Sequence, residues 1–342
     1  MQRHHTHPRN VPPPPTRLSG WAFASLAIFL AALSFGLYRG GSWLNLQLNP
    51  PPEVKLVTSP INDIEWQGMV AGLETAAAVW RANTGIYLKD LHTGRTWNYN
   101  ADRLFPSASL VKVPIMAAVC DKIKGGSITL ATQIRLTRAG RVGGSGSLKW
   151  VRDGTSLSVL EIIYKMITES DNTATRMLID YVGMTYLETA FTKLGLAHTN
   201  ITPEGMSLTS GRIARDNYTT AREMAGLLER IYAGELIDRV SSEFMLDVLK
   251  HNKSRSRLRK GLPLGWEIGH KTGLLRKSCH DAGIVFSPRG DYVIVVLTSE
   301  VPDYSSAKKF IAKVAGLTYK YYKIEADLAL SCAPGARQVK LL

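Results

Sequence analysis

The ten residues from Phe105 to Pro114 read F-P-S-A-S-L-V-K-V-P and place Ser109 three positions before Lys112. If the chain is helical from Ser109 onward, this spacing puts both side chains on one face, one turn apart. A serine hydroxyl is a poor nucleophile until a base takes its proton, and burial favours the neutral, basic form of a lysine. The stretch therefore predicts a serine nucleophile with a lysine beside it as activator.

The S-x-x-K pattern is weak by itself, because it occurs twice more in this chain. Ser305 with Lys308 and Ser306 with Lys309 match it equally well. Both lie at the polar start of a predicted amphipathic helix near the end of the chain. Other motifs are needed to tell which of the three matches contains the catalytic residues.

The 342 residues are 45% hydrophobic and 20% charged, which suits one large globular domain or two smaller ones. A net charge of +14 raises the question of nucleic acid, anionic membranes or anionic polymers as partners. The chain shows no nucleic-acid-binding module, so we expect no nucleic-acid partner. The densest basic run, Lys250 to Lys260, is typical of a solvated loop or helix end.

The three cysteines, Cys120, Cys279 and Cys332, form neither C-x-x-C nor a metal-ligand spacing. We therefore expect no metal ion and no other cofactor. An odd number of cysteines also leaves at least one thiol without a partner in its own chain.

The N-terminal region predicts a membrane anchor. Residues 1–20 are polar and proline-rich, which is typical of a leader without packed structure. Trp21 to Tyr38 is an uncharged apolar run of 18 residues with an aromatic residue at each end, as in a short membrane-spanning helix. A cleaved signal peptide is the alternative.

Arginines precede this run, which places the leader in the cytoplasm and the remainder in the periplasm or at the cell exterior. Residues 39–62, with three consecutive prolines, are predicted to be a linker. Residues 63–322 then form the catalytic domain, and residues 323–342 form a C-terminal tail.

Hydrophobic periodicity and turn residues predict helices and strands in separate groups. The predicted elements are a helix over Ile64–Asn83, a hairpin of Ile86–Leu88 and Thr96–Tyr99, a helical region over Leu157–Val182, a helix opening at Thr219-Thr220, strands over Trp266–Leu274, His280–Phe286 and Asp291–Leu297, and a helix over Tyr304–Tyr322. This order predicts an α+β fold: an antiparallel sheet flanked by the N- and C-terminal helices, plus an all-helical subdomain. A cleft between sheet and subdomain is a natural ligand site.

Two further polar triplets could face that cleft. Ser170-Asp171-Asn172 interrupts a helical region, either as a simple helix junction or as a loop that projects a hydroxyl and an amide. Lys271-Thr272-Gly273 lies in a strand-like run, either as a polar strand edge or as a clamp for an anionic group, with glycine admitting close backbone approach.

The order S-x-x-K, S-D-N, K-T-G, with gaps of 61 and 101 residues, resembles the penicillin-recognising serine enzymes, and the class A β-lactamases in particular. The resemblance covers about residues 65–320 and extends to neighbouring stretches such as H-D-A-G-I-V at 280–285. It implies the same α+β fold that the order of elements predicts.

The resemblance implies a role for each motif. Ser109 would attack the lactam carbonyl, Lys112 would assist its deprotonation, and Ser170 would relay a proton to the departing nitrogen. The substrate-binding residues would follow from the same match: Asn172 for the side-chain amide, Lys271 and Thr272 for the carboxylate, Gly273 for close approach, and the backbone N–H groups of Ser109 and Leu274 for the oxyanion.

Class A enzymes release the acyl group with a loop glutamate in an E-x-x-x-N motif. Glu204 lies 34 residues after Ser170, close to the family spacing, but proline precedes it and position 208 is leucine. Glu204 is therefore either the deacylating base or a surface carboxylate.

Three functions remain open at the level of sequence. The first is a membrane-anchored, extracytoplasmic class A-like β-lactamase. The second is a D,D-peptidase or penicillin-binding protein that acts on peptidoglycan, and the third is a penicillin-acylated sensor with little turnover. In each case the partner is a β-lactam or a peptidoglycan-like substrate, and we expect a monomer.

Overall fold

The computed structural model describes residues 61–206 and 216–324. The predicted leader, the predicted membrane-spanning segment 21–38 and nearly all of the linker and tail lie outside these residues. Within the described ranges, no helix combines the length and apolar character needed to cross a membrane.

The described residues contain helices and strands in the predicted groups. The helices are α1 (Asp63–Ala78), α2 (Lys112–Lys124), α3 (Val159–Thr168), α4 (Asn172–Val182), α5 (Met184–Lys193), α6 (Ala221–Tyr232), α7 (Arg239–Lys250), α8 (Leu258–Gly261) and α9 (Tyr304–Tyr322). The strands are β1 (Asn83–Asp90), β2 (Thr96–Tyr99), β3 (Phe105–Pro106), β4 (Gln133–Arg135), β5 (Ser156–Ser158), β6 (Tyr218–Thr219), β7 (Glu267–Leu275), β8 (Ser278–Phe286) and β9 (Tyr292–Ser299).

Five strands form one sheet in the order β2-β1-β9-β8-β7, and every neighbouring pair is antiparallel. Alternate residues of β9 point to opposite faces of the sheet, so Val293 and Val295 belong to one apolar cluster and Ile294 and Val296 to the other. Both faces of the sheet are therefore covered.

The terminal helices α1 and α9 cover one face. Met69 and Leu73 from α1 and Ile311 and Val314 from α9 lie in the same buried cluster as Ile294. The predicted antiparallel sheet flanked by the N- and C-terminal helices is confirmed.

Helices α2 to α7 contribute to the cluster on the opposite face. Helix α2 is buried along its whole first half, and its Ile115, Met116 and Val119 join the cluster that contains Val293 and Val295. The predicted helical subdomain is thus present, and α2 connects it to the sheet.

Several strand ends differ from the sequence prediction by one to three residues, and two helix ends differ for an identifiable reason. Leu157 belongs to strand β5, where it pairs with Ile134, and Ser158 caps α3 in a capping box with Glu161. Helix α1 ends at Ala78 because the chain must extend to pair Asn83 with Ser299 of β9. In both cases a pairing with a distant strand overrides the local helical pattern.

Candidate active site

Ser109 lies in a 3₁₀ turn, Ala108–Val111, that leads into α2 at Lys112. The prediction of a regular helix from Ser109 is therefore replaced by a tighter turn, in which side chains three residues apart eclipse each other. Ala108 has φ +47°, a conformation that costs a non-glycine residue about 1–3 kcal/mol. This turn leaves Ser109 partly exposed while Lys112 is buried.

Lys112 is 2% exposed, and its Nζ contacts Ser170 O at 2.7 Å, Asn172 Oδ1 at 2.8 Å and Ser170 Oγ at 3.3 Å. Burial lowers the pKa of Lys112 to about 7, against the opposing charge of Asp171. A substantial fraction of this amine is uncharged near neutral pH, so it can accept a proton. Lys112 therefore has the chemistry that activation of Ser109 requires.

Ser170 lies at the break between α3 and α4, in the left-handed conformation with φ +55°. Its Oγ lies 2.9 Å from Lys271 Nζ and 3.3 Å from Lys112 Nζ. A hydroxyl has two lone pairs and one proton, so accepting from both lysines leaves its O–H as a donor. The sequence allowed two interpretations of Ser170-Asp171-Asn172, a helix junction or a loop that projects a hydroxyl. The structure shows a helix junction that also presents the Ser170 hydroxyl to the two lysines.

Asp171 fixes this junction. It is fully buried, its Oδ1 accepts from Ala174 N at the start of α4, and its Oδ2 accepts from Leu148 N. A Cβ at Gly146 would lie 2.1 Å from Asp171 Cγ, so only glycine permits the loop to pass here. The conformation of Ser170 is therefore determined by both neighbouring segments.

The side-chain amide of Asn172 forms one hydrogen bond through its oxygen and another through its nitrogen. Its Oδ1 accepts from Lys112 Nζ, and its Nδ2 donates to Gly143 O at 2.9 Å. Asn172 therefore links the lysine to the glycine-rich loop at 143–146, and it also lines the cavity described below.

Lys271 is fully buried on β7 and donates to Ser170 Oγ and to Thr272 O, each at 2.9 Å. Burial lowers its pKa well below the usual value, and the charges of Lys112 and Arg257 add to this, while Asp281 opposes it. Two buried lysines therefore converge on one serine hydroxyl. An anion that approaches them would relieve their mutual repulsion.

Asp281 belongs to a buried polar group behind Lys271 that sequence reasoning missed as a functional feature. Its Oδ1 lies 2.9 Å from His270 Nδ1, and its Oδ2 accepts from Leu258 N at 3.1 Å. Because Lys271 and Asp281 lie on neighbouring strands, this carboxylate is a counter-charge beneath the site. The stretch H-D-A-G-I-V was the available signal.

Gly273 is required by contacts within the protein. A Cβ at this position would lie 3.0 Å from His280 Cδ2 and 3.3 Å from Ala108 Cβ. His280 in turn donates from Nε2 to Pro106 O at 2.7 Å, and burial lowers its pKa to about 4, so the ring stays neutral. The absence of a side chain at Gly273 lets β7 pack closely against the turn that carries Ser109.

Strand β7 is the edge of the sheet, so alternate backbone groups along it have no strand partner. Thr272 is partly exposed on this strand, and Leu274 is 46% exposed and lines the adjoining cavity. The free backbone groups of this edge can form hydrogen bonds with the main chain of a substrate, and its N–H groups can donate to a developing oxyanion.

A cavity of about 480 Å³ opens beside Ser109. Ser109, Lys112, Asn172 and Leu274 line it, as do Arg176 and Asp180 of α4. Its size suits a small organic ligand with a bulky side chain. Among the residues that the structure describes, no cluster of three or more His, Cys, Asp or Glu side chains could hold a metal ion.

Glu204 is exposed in a turn whose neighbours Pro203, Gly205 and Met206 line the cavity, but Glu204 is not among the lining residues. This turn is held by Asn217, whose Oδ1 accepts from Thr202 N at 2.8 Å. A different carboxylate, Asp216, does line the cavity. Sequence reasoning missed it, although it stands just before the Thr219-Thr220 helix start.

The chain is similar to known proteins over most of its described residues. A model of the Beta-lactamase enzyme family matches residues 72–322. The beta-lactamase of Streptomyces albus G is 31% identical over 243 residues, which cover 68% of this chain and 76% of that protein.

Solved structures agree with the sequence matches. A beta-lactamase from Sphaerobacter thermophilus superimposes with a TM-score of 0.69 at 29% identity, covering 74% of this chain and 96% of that one. A mutant of PBP-A, solved as an acyl-enzyme complex with penicillin G, gives a TM-score of 0.67 at 28% identity, covering 77% and 97%. Both β-lactamases and a penicillin-acylated protein therefore share this fold.

Proposed function

We propose, since this chain belongs to the beta-lactamase enzyme family, that it opens β-lactam rings by the class A route, through an acyl-enzyme on Ser109. At the level of the family, the chain is a serine β-lactamase-like hydrolase. The observation that carries the finer proposal is the convergence of Lys112 and Lys271 on Ser170 Oγ, next to the turn that carries Ser109.

In the proposed acylation, neutral Lys112 takes the proton of Ser109 as its Oγ attacks the lactam carbonyl. The backbone N–H groups of Ser109 and Leu274 stabilise the resulting oxyanion, and loss of one such donor typically costs ~10²–10³ in rate. The C–N bond of the ring then breaks, and Ser170 donates its proton to the departing nitrogen. Lys112 can replace that proton through its contact with Ser170 Oγ.

Substrate binding is proposed to use the edge of β7 and the cavity. Lys271 and Thr272 would hold the carboxylate of the substrate, and Asn172 would bind the amide of its side chain. Support comes from the burial of Lys271, which lowers its pKa, since a carboxylate near the amine would favour its charged form. Gly273 would serve indirectly, by keeping β7 close to Ser109.

A D,D-peptidase or penicillin-binding protein is the second candidate, with a penicillin-acylated sensor as its low-turnover form. The likeness to PBP-A favours it, as does the departure from E-x-x-x-N around Glu204. All candidates acylate Ser109 and differ in how fast water releases the acyl group.

The discriminating experiment mixes the full-length chain with a chromogenic cephalosporin. Many turnovers per enzyme, lost in Ser109→Ala, are expected for a β-lactamase. A single stoichiometric burst would refute the β-lactamase proposal, and release of D-alanine from a D-alanyl-D-alanine peptide would then identify the peptidase.

We also propose that residues 21–38 anchor the protein in the cell membrane, with the catalytic domain outside the cytoplasm. The support is the uncharged 18-residue run and the arginines that precede it. The anchored protein should resist extraction from membranes at alkaline pH, and deletion of residues 1–40 should make it extractable. Extraction of the intact chain would refute the anchor.

A further inference from the structure

Release of the acyl group needs a base that reaches water beside Ser109. Glu204 is the residue nominated by the sequence, yet its side chain is exposed and does not line the cavity that holds Ser109. Among the cavity-lining residues that the structure describes, the carboxylates are Asp180 and Asp216. Asp180 is engaged by Arg176 Nε, at 2.7 and 2.8 Å from its two oxygens.

Backbone pairing brings Asp216 next to the Ser109 turn. Strands β3 and β6 are antiparallel, with Pro106 opposite Tyr218. The pairing continues beyond them, because Ser107 N donates to Asn217 O at 2.7 Å. Asp216 directly precedes Asn217, and Ser107 lies two residues before Ser109. This hydrogen bond therefore holds the backbone beside Asp216 next to the turn that carries Ser109.

The surroundings of Asp216 suit a general base. Its side chain is only partly exposed, and burial raises its pKa, while the charge of Arg276 offsets part of this effect. A carboxylate whose pKa is raised by burial is a stronger base than one in open solvent. The backbone contact of Asn217 with Ser107 keeps it in place.

We infer that Asp216 is the general base that activates water for release of the acyl group from Ser109. The inference rests on the proposed hydrolase function and concerns its second step. Asp216 takes one proton from water as the water oxygen bonds to the acyl carbon. The bond between that carbon and Ser109 Oγ then breaks, and Oγ takes up the proton from Asp216. Serine, carboxylate base and a ring-opened acid are the products.

The test measures acylation and release separately in the full-length chain with a chromogenic cephalosporin. Asp216→Asn should give a burst of one equivalent, followed by release slowed ~10²–10⁴-fold, the usual effect of removing a general base. Intact-mass measurement should show the adduct persisting. Asp180→Asn, which removes a charge from the same cavity, is the matched control and should release the product at nearly the wild-type rate.

Glu204→Gln is the competing arm. If Glu204→Gln stalls at the acyl-enzyme and Asp216→Asn does not, Glu204 is the base and the inference is overturned. Release of the acyl group at the wild-type rate in Asp216→Asn overturns the inference as well.

The burst verifies that a variant folds and acylates. If Asp216→Asn gives no burst, Asp216→Ala is judged by the same criteria. If the wild-type chain releases only one equivalent of product, the hydrolase proposal fails, and the assignment of Asp216 fails with it. If the wild-type chain turns over many times, a negative result for the variants refutes only the assignment of Asp216.

Discussion

Lys271 Nζ lies 2.9 Å from Ser170 Oγ, although 101 positions separate the two residues in the chain. The same oxygen lies 3.3 Å from Lys112 Nζ, so one hydroxyl joins the S-x-x-K, S-D-N and K-T-G motifs. This contact links an edge strand of the sheet to a junction between two helices of the subdomain. This arrangement supports the proposed transfer of a proton through Ser170.

Removal of that hydroxyl should slow acylation more than it weakens binding. Ser170→Ala is expected to lower the acylation rate ~10²–10⁴-fold, because the departing nitrogen loses its proton donor. Stopped-flow measurement with a chromogenic cephalosporin gives the rate and the substrate affinity separately. A purely structural role would instead lower the thermal midpoint and leave the rate of the folded fraction unchanged.

The acylation efficiency should depend on pH through both lysines. Lys112, with a pKa of about 7, must be neutral to act as base, so acylation should rise with pH through that value. In the proposed mechanism the charge of Lys271 holds the substrate carboxylate, and its lowered pKa predicts that this charge is lost at a lower pH than in an ordinary lysine. The profile of kcat/KM for acylation should therefore be bell-shaped.

Lys271→Arg offers a check on the assignment of the falling limb. A guanidinium stays charged at every accessible pH, so this variant should lose the fall at high pH while keeping the rise. If the fall persists, the titrating group is elsewhere. His280 stays neutral at neutral pH, because burial lowers its pKa to about 4.

Gly273→Ala should impair both stability and acylation. The added Cβ would lie 3.0 Å from His280 Cδ2 and 3.3 Å from Ala108 Cβ, so β7 or the Ser109 turn must shift. Overpacking of this kind typically costs about 1–3 kcal/mol of unfolding free energy. Urea denaturation measures that loss. Gly265→Ala is the matched control, because nothing lies within 4 Å of its Cβ position; an equal loss there would contradict the packing argument.

Asp281→Ala should destabilise the fold and weaken carboxylate binding together. It leaves Leu258 N–H without its side-chain acceptor and His270 Nδ1 without its partner. A buried donor left unsatisfied costs about 1–3 kcal/mol. It also removes the counter-charge that raises the pKa of Lys271, so the substrate KM should rise.

The control for that variant is Glu243→Ala, which breaks an exposed pair with Arg239 one turn away. Solvent screens an ion pair whose two side chains are exposed, so the unfolding free energy and KM of this variant should stay near wild type. If Asp281→Ala lowers the unfolding free energy no more than this control does, the buried contact between Asp281 and His270 contributes little to stability.

Residue type and spacing were enough to predict the fold class and to locate the three motifs. Helical and strand periodicities separate cleanly in residues such as those of α9 and the strand run 267–299, because a sheet and a helix bury side chains with different periods. The order of the motifs also distinguished Ser109 and Lys112 from the two other S-x-x-K matches. These are properties of residue type and spacing, which a sequence displays directly.

How the motifs meet, and which carboxylates line the cavity, can be seen only in the folded chain. The turn at Ala108, the positive φ of Ser170 and the role of Gly273 depend on packing between segments far apart in the chain. The lowered pKa values of Lys112 and Lys271 depend on burial from all sides. Asp216 lies beside the turn that carries Ser109 only because β3 pairs with β6 and Ser107 N donates to Asn217 O. Long-range contacts of this kind leave no local periodicity, so no window of sequence reveals them.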